Sequence, residues 1–206
     1  MPPSPAEKAS YSGLLAAAAR GDTARIKALI VGGESPDVLD ALGRTPLHIA
    51  THGRHHDAMR ALVAAGAAPN AFDNDRYDIV TIAAVANNVP TLKVALELGA
   101  SPRNVTSPYA GTALIAAAHL GHVEVVQTLI RAGAPLDHVN NLGWTALIES
   151  IVLGDGGLRH TETLRVLIEA GANVNLPDRN GQTPLALARE RGHVAMVLLL
   201  QQAGAR

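Results

Sequence analysis

The chain contains no cysteine, which excludes disulfides and thiolate metal sites. Aromatic side chains are almost as scarce, with only Tyr11, Phe72, Tyr77, Tyr109 and Trp144 among 206 residues. A core must therefore be built from Ala, Leu, Val and Ile, whose small size lets helices approach closely. No apolar run comes near the ~18 residues that a membrane-spanning helix needs. Neither charge is in excess: 17 Lys and Arg stand against 18 Asp and Glu. Electrostatic attraction to nucleic acid or to an anionic membrane is therefore not expected. The first ten residues carry Pro2, Pro3 and Pro5 and no apolar stretch of secretory type. Residues 1–9 read as a flexible tail, with a cytoplasmic location as the default expectation.

What is plentiful is glycine, and it is periodic. Gly33, Gly66, Gly99, Gly133, Gly171 and Gly204 each follow a helical apolar run, at separations of 33, 33, 34, 38 and 33 residues. Thr45, Thr112, Thr145 and Thr183 keep the same register. A fixed period of about 33 residues signals an array of helix–turn–helix units, each burying its apolar face against its neighbours. Six repeats are expected within residues 10–206, at about 10–39, 40–72, 73–106, 107–139, 140–177 and 178–206. The third is the least regular. Asp78-Ile79-Val80-Thr81 replaces Thr45-Pro46-Leu47-His48, and Asn87 stands where glycine is usual. Asp78 can still cap a helix, and Asn tolerates positive φ. The fifth repeat carries about five extra residues, Gly156–His160, expected as a longer turn before a helix over Thr161–Ala170.

Gly43-Arg44-Thr45-Pro46-Leu47-His48-Ile49-Ala50, Gly121-His122-Val123-Glu124-Val125-Val126 and Ala170-Gly171-Ala172-Asn173-Val174-Asn175 resemble the ankyrin repeat. Asn141-Leu142-Gly143-Trp144-Thr145, with the later Leu153-Gly154-Asp155-Gly156-Gly157, is similar to small stand-alone bacterial ankyrin-repeat proteins. The resemblance implies an all-α solenoid with β-hairpin-like finger loops, and a binding scaffold for a protein or peptide held in a concave groove. It also implies which positions face that groove: the finger tips before each Thr and the ends of the first helices.

Those positions include Arg44, His52, Tyr77, Tyr109, His119, Leu120, Leu142, Trp144 and Val152. Three of the five aromatics fall among them, and Tyr77 and Trp144 share one repeat position. Large amphipathic rings on solvent-facing fingers are the usual anchors of protein interfaces. Glu149 is the odd residue, because its counterparts Ile49, Ile82, Ala116 and Leu187 are apolar. A buried carboxylate is costly unless it is paired or hydrogen-bonded. Two readings stand: backbone N–H groups of the long turn satisfy Glu149, or it meets a basic group on a partner. His48, His52, His55 and His56 could suggest a metal. His48 and His55 fit framework positions instead, so neither metal nor cofactor is expected. The expectation is a monomeric protein-interaction module without catalysis. The alternatives are a metal-dependent or hydrolytic enzyme using His52, His119, Glu149 and Asp155, or a self-associating structural subunit.

Overall fold

Five of the six repeats start their first helix in the same way. A side-chain oxygen just ahead of the helix accepts the N–H three residues on: Thr45 from His48 (3.3 Å), Asp78 from Thr81 (2.8 Å), Thr112 from Ile115 (3.3 Å), Thr145 from Ile148 (3.2 Å) and Thr183 from Ala186 (3.3 Å). These contacts satisfy N–H groups that the helix itself leaves free. Pro46 and Pro184 take the first helical turn, where no N–H is needed.

The computed structural model describes all 206 residues, in two compact units, Met1–Ser101 and Pro102–Arg206. The first holds α1 (Pro5–Ser10), α2 (Gly13–Arg20), α3 (Thr23–Val31), α4 (Pro46–His52), α5 (His56–Ala64), α6 (Ile79–Val85) and α7 (Val89–Glu97). The second holds α8 (Ala113–His119), α9 (Val123–Arg131), α10 (Ala146–Val152), α11 (Leu158–Glu169), α12 (Pro184–Glu190) and α13 (Val194–Gln202). There is no sheet. Thr106 and Gly111 form one isolated antiparallel bridge, so the fingers are turns rather than laddered hairpins.

Within each unit the helices stack in two rows, the repeat architecture of an all-α solenoid. In the first, α2, α4 and α6 pack in series, backed by α3, α5 and α7. In the second, α8, α10 and α12 are backed by α9, α11 and α13. Helices α4, α6, α8, α10 and α12 have seven residues each, too few to persist alone in water. Packing holds them. Leu47, Ile49, Met59, Leu62, Ile79 and Leu92 are buried in the first unit, and Leu114, Leu129, Leu147, Ile151 and Leu167 in the second. Burying one such side chain contributes about 1.5–3 kcal/mol.

His48 joins neighbouring repeats. Its Nδ1 accepts the Thr45 N–H (3.1 Å), so Nε2 carries the proton and donates to the carbonyls of Ala71 and Tyr77 (3.1 Å each). Burial holds its pKa below the usual histidine value. Asn87 adopts the left-handed conformation expected of it (φ 49°). In the second repeat that conformation belongs to Arg54 (φ 58°), not to the preceding Gly53.

Residues 1–9, expected as a flexible tail, carry helix α1 and lie against the repeats. Ser4 and Glu7 form a capping box: Glu7 N–H donates to Ser4 Oγ (3.2 Å) and Ser4 N–H to Glu7 Oε2 (2.8 Å). Pro3 is buried.

The fifth-repeat insertion also differs from expectation. Part of it is helical, since α11 begins at Leu158 and runs for twelve residues where the other second helices of the repeats have nine. Asp155 Oδ1 accepts the Gly157 N–H (2.9 Å), and His160 bridges the turn to the preceding repeat, with Nδ1 2.9 Å from Asp155 Oδ1 and Nε2 2.9 Å from the His119 carbonyl. His55 makes the same contact to the Ala19 carbonyl in the first unit (3.2 Å). The insertion therefore ends by delivering a histidine to a recurring framework role. At Gly121 (φ 64°) a Cβ would crowd that histidine ring, at 3.2 Å from Nε2.

Candidate functional site

The fingers are closed by one recurring side chain. Oδ1 of Asp40 accepts the N–H groups of Leu42 and Arg44 (2.9 Å each), and Oδ1 of Asp73 those of Asp75 (3.0 Å) and Tyr77 (2.8 Å). Asn140 accepts from Leu142 and Trp144 (3.0 Å each), and Asp178 from Asn180 and Gln182 (2.9 Å each). Arg44, Tyr77, Trp144 and Gln182 thus hold equivalent places, immediately before a helix cap. Neighbouring fingers are tied as well. Asn74 N–H donates to the Leu42 carbonyl (3.0 Å), and Asn141 N–H to the Tyr109 carbonyl (2.9 Å). Asn141 Nδ2 reaches the Pro108 carbonyl (3.1 Å). The finger backbone is preformed, so side chains displayed on it need little ordering on binding.

In the first unit one expected site residue is fully covered and two are half-buried. Arg44, expected to be open to a partner, is 1% exposed. Its Nε donates to Asp40 Oδ2 (2.7 Å), Nη1 to the Met1 carbonyl (3.1 Å), and Nη2 to Glu7 Oε1 and to Tyr11 Oη (2.9 Å). The Tyr11 hydroxyl donates to Asp40 Oδ2 (2.8 Å). Burial raises the Asp40 pKa, but hydrogen bonds from Arg44 and Tyr11 outweigh it and leave the carboxyl below its ordinary value. His52 and Tyr77 are half-buried and line a cavity of about 420 Å³ with Met1, Pro2, Ile82 and Val85. The His52 Nε2 is buried without a hydrogen-bond partner. Burial, with the positive charges of the first amino group and Arg44, pushes its pKa down to about 3.

The second unit displays its side chains. Tyr109 is 58% exposed and Leu142 41%, with Trp144, Leu120 and Val152 half-buried. Glu149 is 4% exposed. Its partner is not the long turn. Oε1 accepts Nδ2 of Asn140 (2.8 Å), in its own repeat's finger. Asn140 is the amide where Asp40, Asp73 and Asp178 stand in other repeats, and only an amide can both close the finger and donate to a carboxylate. An aspartate here would set two anions together. Glu149 Oε2 has no hydrogen-bond partner. His119 Nδ1 lies 3.4 Å away, without hydrogen-bond geometry, and the His119 side chain is 48% exposed. Burial raises the Glu149 pKa against the opposing Asn140 hydrogen bond, while burial and then His160 lower that of His119. No three or more His, Asp or Glu side chains converge as a metal site.

The missed residues are Asp40, Asn140 and Glu7. An Asp-to-Asn change in one finger, and Ser4 three residues ahead of Glu7, were signals open to sequence reading.

Comparison with known proteins agrees with this geometry. Ankyrin-repeat family models match residues 14–106, 80–178 and 158–201. The ankyrin repeat protein YahD of Escherichia coli (strain K12) is 33% identical over 193 residues, covering 93% of this chain and 95% of YahD. A crystal structure of an ankyrin repeat domain from Acinetobacter baumannii AYE has 43% identity and a TM-score of 0.87, over 94% of this chain and 98% of that one. The ankyrin repeat domain of Bcl-3, an IκB-family member, has 29% identity and a TM-score of 0.84, over 96% and 88%. Repeats of this type generally mediate protein–protein interaction. The chain belongs to the ankyrin repeat family.

Proposed function

We propose that the chain is a non-catalytic interaction module, and that its partner protein docks on the finger face of the second unit around Tyr109, Leu142 and Trp144. The partner presents a lysine ammonium to Glu149. The observation that carries this reading is the free Oε2 of a carboxyl group placed where other repeats have an apolar side chain. A carboxyl left half-satisfied in a protein interior costs about 1–3 kcal/mol. Asn140 offsets part of that cost and leaves one oxygen unused. A single free oxygen suits a point-like ammonium, whereas guanidinium binding favours two. The exposed His119 lies over that oxygen and must swing aside as the cation enters. Tyr109 and Leu142, on tied fingers, supply apolar contact area.

The test is photo-crosslinking in lysate of the source cell. Benzoylphenylalanine at 109 or 142 is compared with the same group at Leu158, which is 91% exposed but lies at the start of α11. The expected result is one protein captured from both 109 and 142, not from 158, and lost in Glu149→Gln. The same capture from all three sites, or capture indifferent to Glu149→Gln, would overturn the assignment.

A further inference from the structure

We propose that residues Met1–Tyr11 are a displaceable occupant of the first unit's finger face. When they leave, that face takes a proline-containing partner segment that brings a carboxylate to Arg44.

The partners of Arg44 make the case. Of the four groups around its guanidinium, only Asp40 belongs to the repeat it sits in. The Met1 carbonyl, Glu7 carboxylate and Tyr11 hydroxyl all come from the N-terminal segment. The other repeats fill this position with Tyr77, Trp144 and Gln182, so the framework does not require an arginine. With the segment lifted, Arg44 keeps one carboxylate and has its Nη1 and Nη2 donors free. That arrangement is a receptor for a second carboxylate.

The segment itself is lightly held. Helix α1 has six residues and buries none of its side chains, and a helix of that length does not persist alone. Apart from Pro3, attachment rests on the polar contacts to Arg44 and Asp40. Elements with few buried apolar contacts open at low free energy. Nor does the segment fill the face. Met1 and Pro2 form one side of the 420 Å³ cavity, and His52, Tyr77, Ile82 and Val85 line the rest. A competing segment with a bulkier apolar residue ahead of its carboxylate would gain that volume, and the partnerless His52 Nε2 offers it a polar contact.

Tethering sets the scale of the competition. A short linker holds an occupant at about 1 mM, so a free peptide with an intrinsic dissociation constant of about 0.1 mM is weakened roughly tenfold. The test uses the full chain and a synthetic peptide with the sequence of residues 1–11. Glu7→Arg turns the attraction to Arg44 into repulsion, and because α1 buries no side chain the repeats keep their fold, as a thermal melt will verify. By NMR titration the peptide is expected to saturate the Glu7→Arg chain and to bind wild type about tenfold more weakly. A peptide with Gln in place of its Glu should lose most of its affinity. A second measurement needs no variant: in wild type, the Lys8 amide, bonded to the Ser4 carbonyl, should exchange with solvent well before the amides of α4. Absence of saturable binding to the Glu7→Arg chain would overturn the proposal. So would equal affinity for both chains, or exchange of Lys8 as slow as that of α4. A wild-type dimer formed by exchanging this segment between two copies would overturn its intramolecular part.

Discussion

Arg44 in the first unit and Glu149 in the second are both charged side chains where equivalent repeat positions are uncharged, and both are almost fully buried. Their surroundings differ. Arg44 is paired with Asp40, Glu7, Tyr11 and the Met1 carbonyl, which take four of its five N–H donors. Glu149 has one oxygen hydrogen-bonded by Asn140, while the other, 3.4 Å from His119 Nδ1, accepts no hydrogen bond. The first is a charge whose ligand is carried on the same chain. Under the proposed function, the second is a charge whose ligand comes from a partner, and these two exceptions to the repeat framework are where recognition is expected.

The sharpest way to break the comparison is to remove Arg44. Arg44→Ala leaves the Asp40 and Glu7 carboxylates without their cation and should cost about 3 kcal/mol in urea unfolding. A loss below about 1 kcal/mol would mean that the network contributes little. The matched pair in the second unit comes next. Asn140→Asp places two carboxyls in contact and should cost about 2 kcal/mol at pH 7. The loss should shrink at acid pH, because the second carboxylate raises the Glu149 pKa further and the protonated form relieves the repulsion. Adding Glu149→Leu restores the pattern of the other repeats and should recover most of that stability. A double variant as unstable as Asn140→Asp alone would dissolve the pairing argument.

Glu7 gives a smaller effect. The Ser4 N–H, then the Ser4 hydroxyl and Arg44, lower its pKa from 4.5 to about 2. A depressed carboxyl pKa contributes docking that is complete above about pH 4.5 and lost as pH falls towards 2. The protection factor of the Lys8 amide, its rate relative to the unstructured rate at the same pH, should therefore fall across that window, and in Glu7→Gln it should be low at both ends of it.

Much of the fold was legible because ankyrin-type repeats write their framework locally. Thr45, Thr145 and Thr183 cap helices three residues ahead, and Asn87 adopts the left-handed turn its position requires. The site was less legible because its decisive contacts are not local. Arg44 meets Glu7 across 37 residues and Tyr11 across 33, and no periodicity reports such a contact. The prolines and the lack of an apolar stretch near the start suggest a tail, although Ser4-Pro5-Ala6-Glu7 carries a capping-box pattern. Glu149 stood out as anomalous, but its partner was sought in the conspicuous glycine-rich turn. Asn140 differs from its aspartate counterparts by one donor group, which matters only once the carboxyl beside it is known.

Under the proposed function, Glu149 serves binding at the expense of stability. The most direct measurement is urea unfolding of wild type and Glu149→Gln at pH 7 and pH 4, in parallel with crosslinking from position 109. Burial raises the Glu149 pKa, so its ionised form is a liability that appears as pH rises and is absent well below the ordinary carboxyl value. The account predicts that Glu149→Gln is more stable than wild type by about 1 kcal/mol at pH 7. The difference should narrow at pH 4, and the variant should no longer capture the partner. A variant less stable at pH 7 that still captures the partner would contradict it, and would make Glu149 a framework residue.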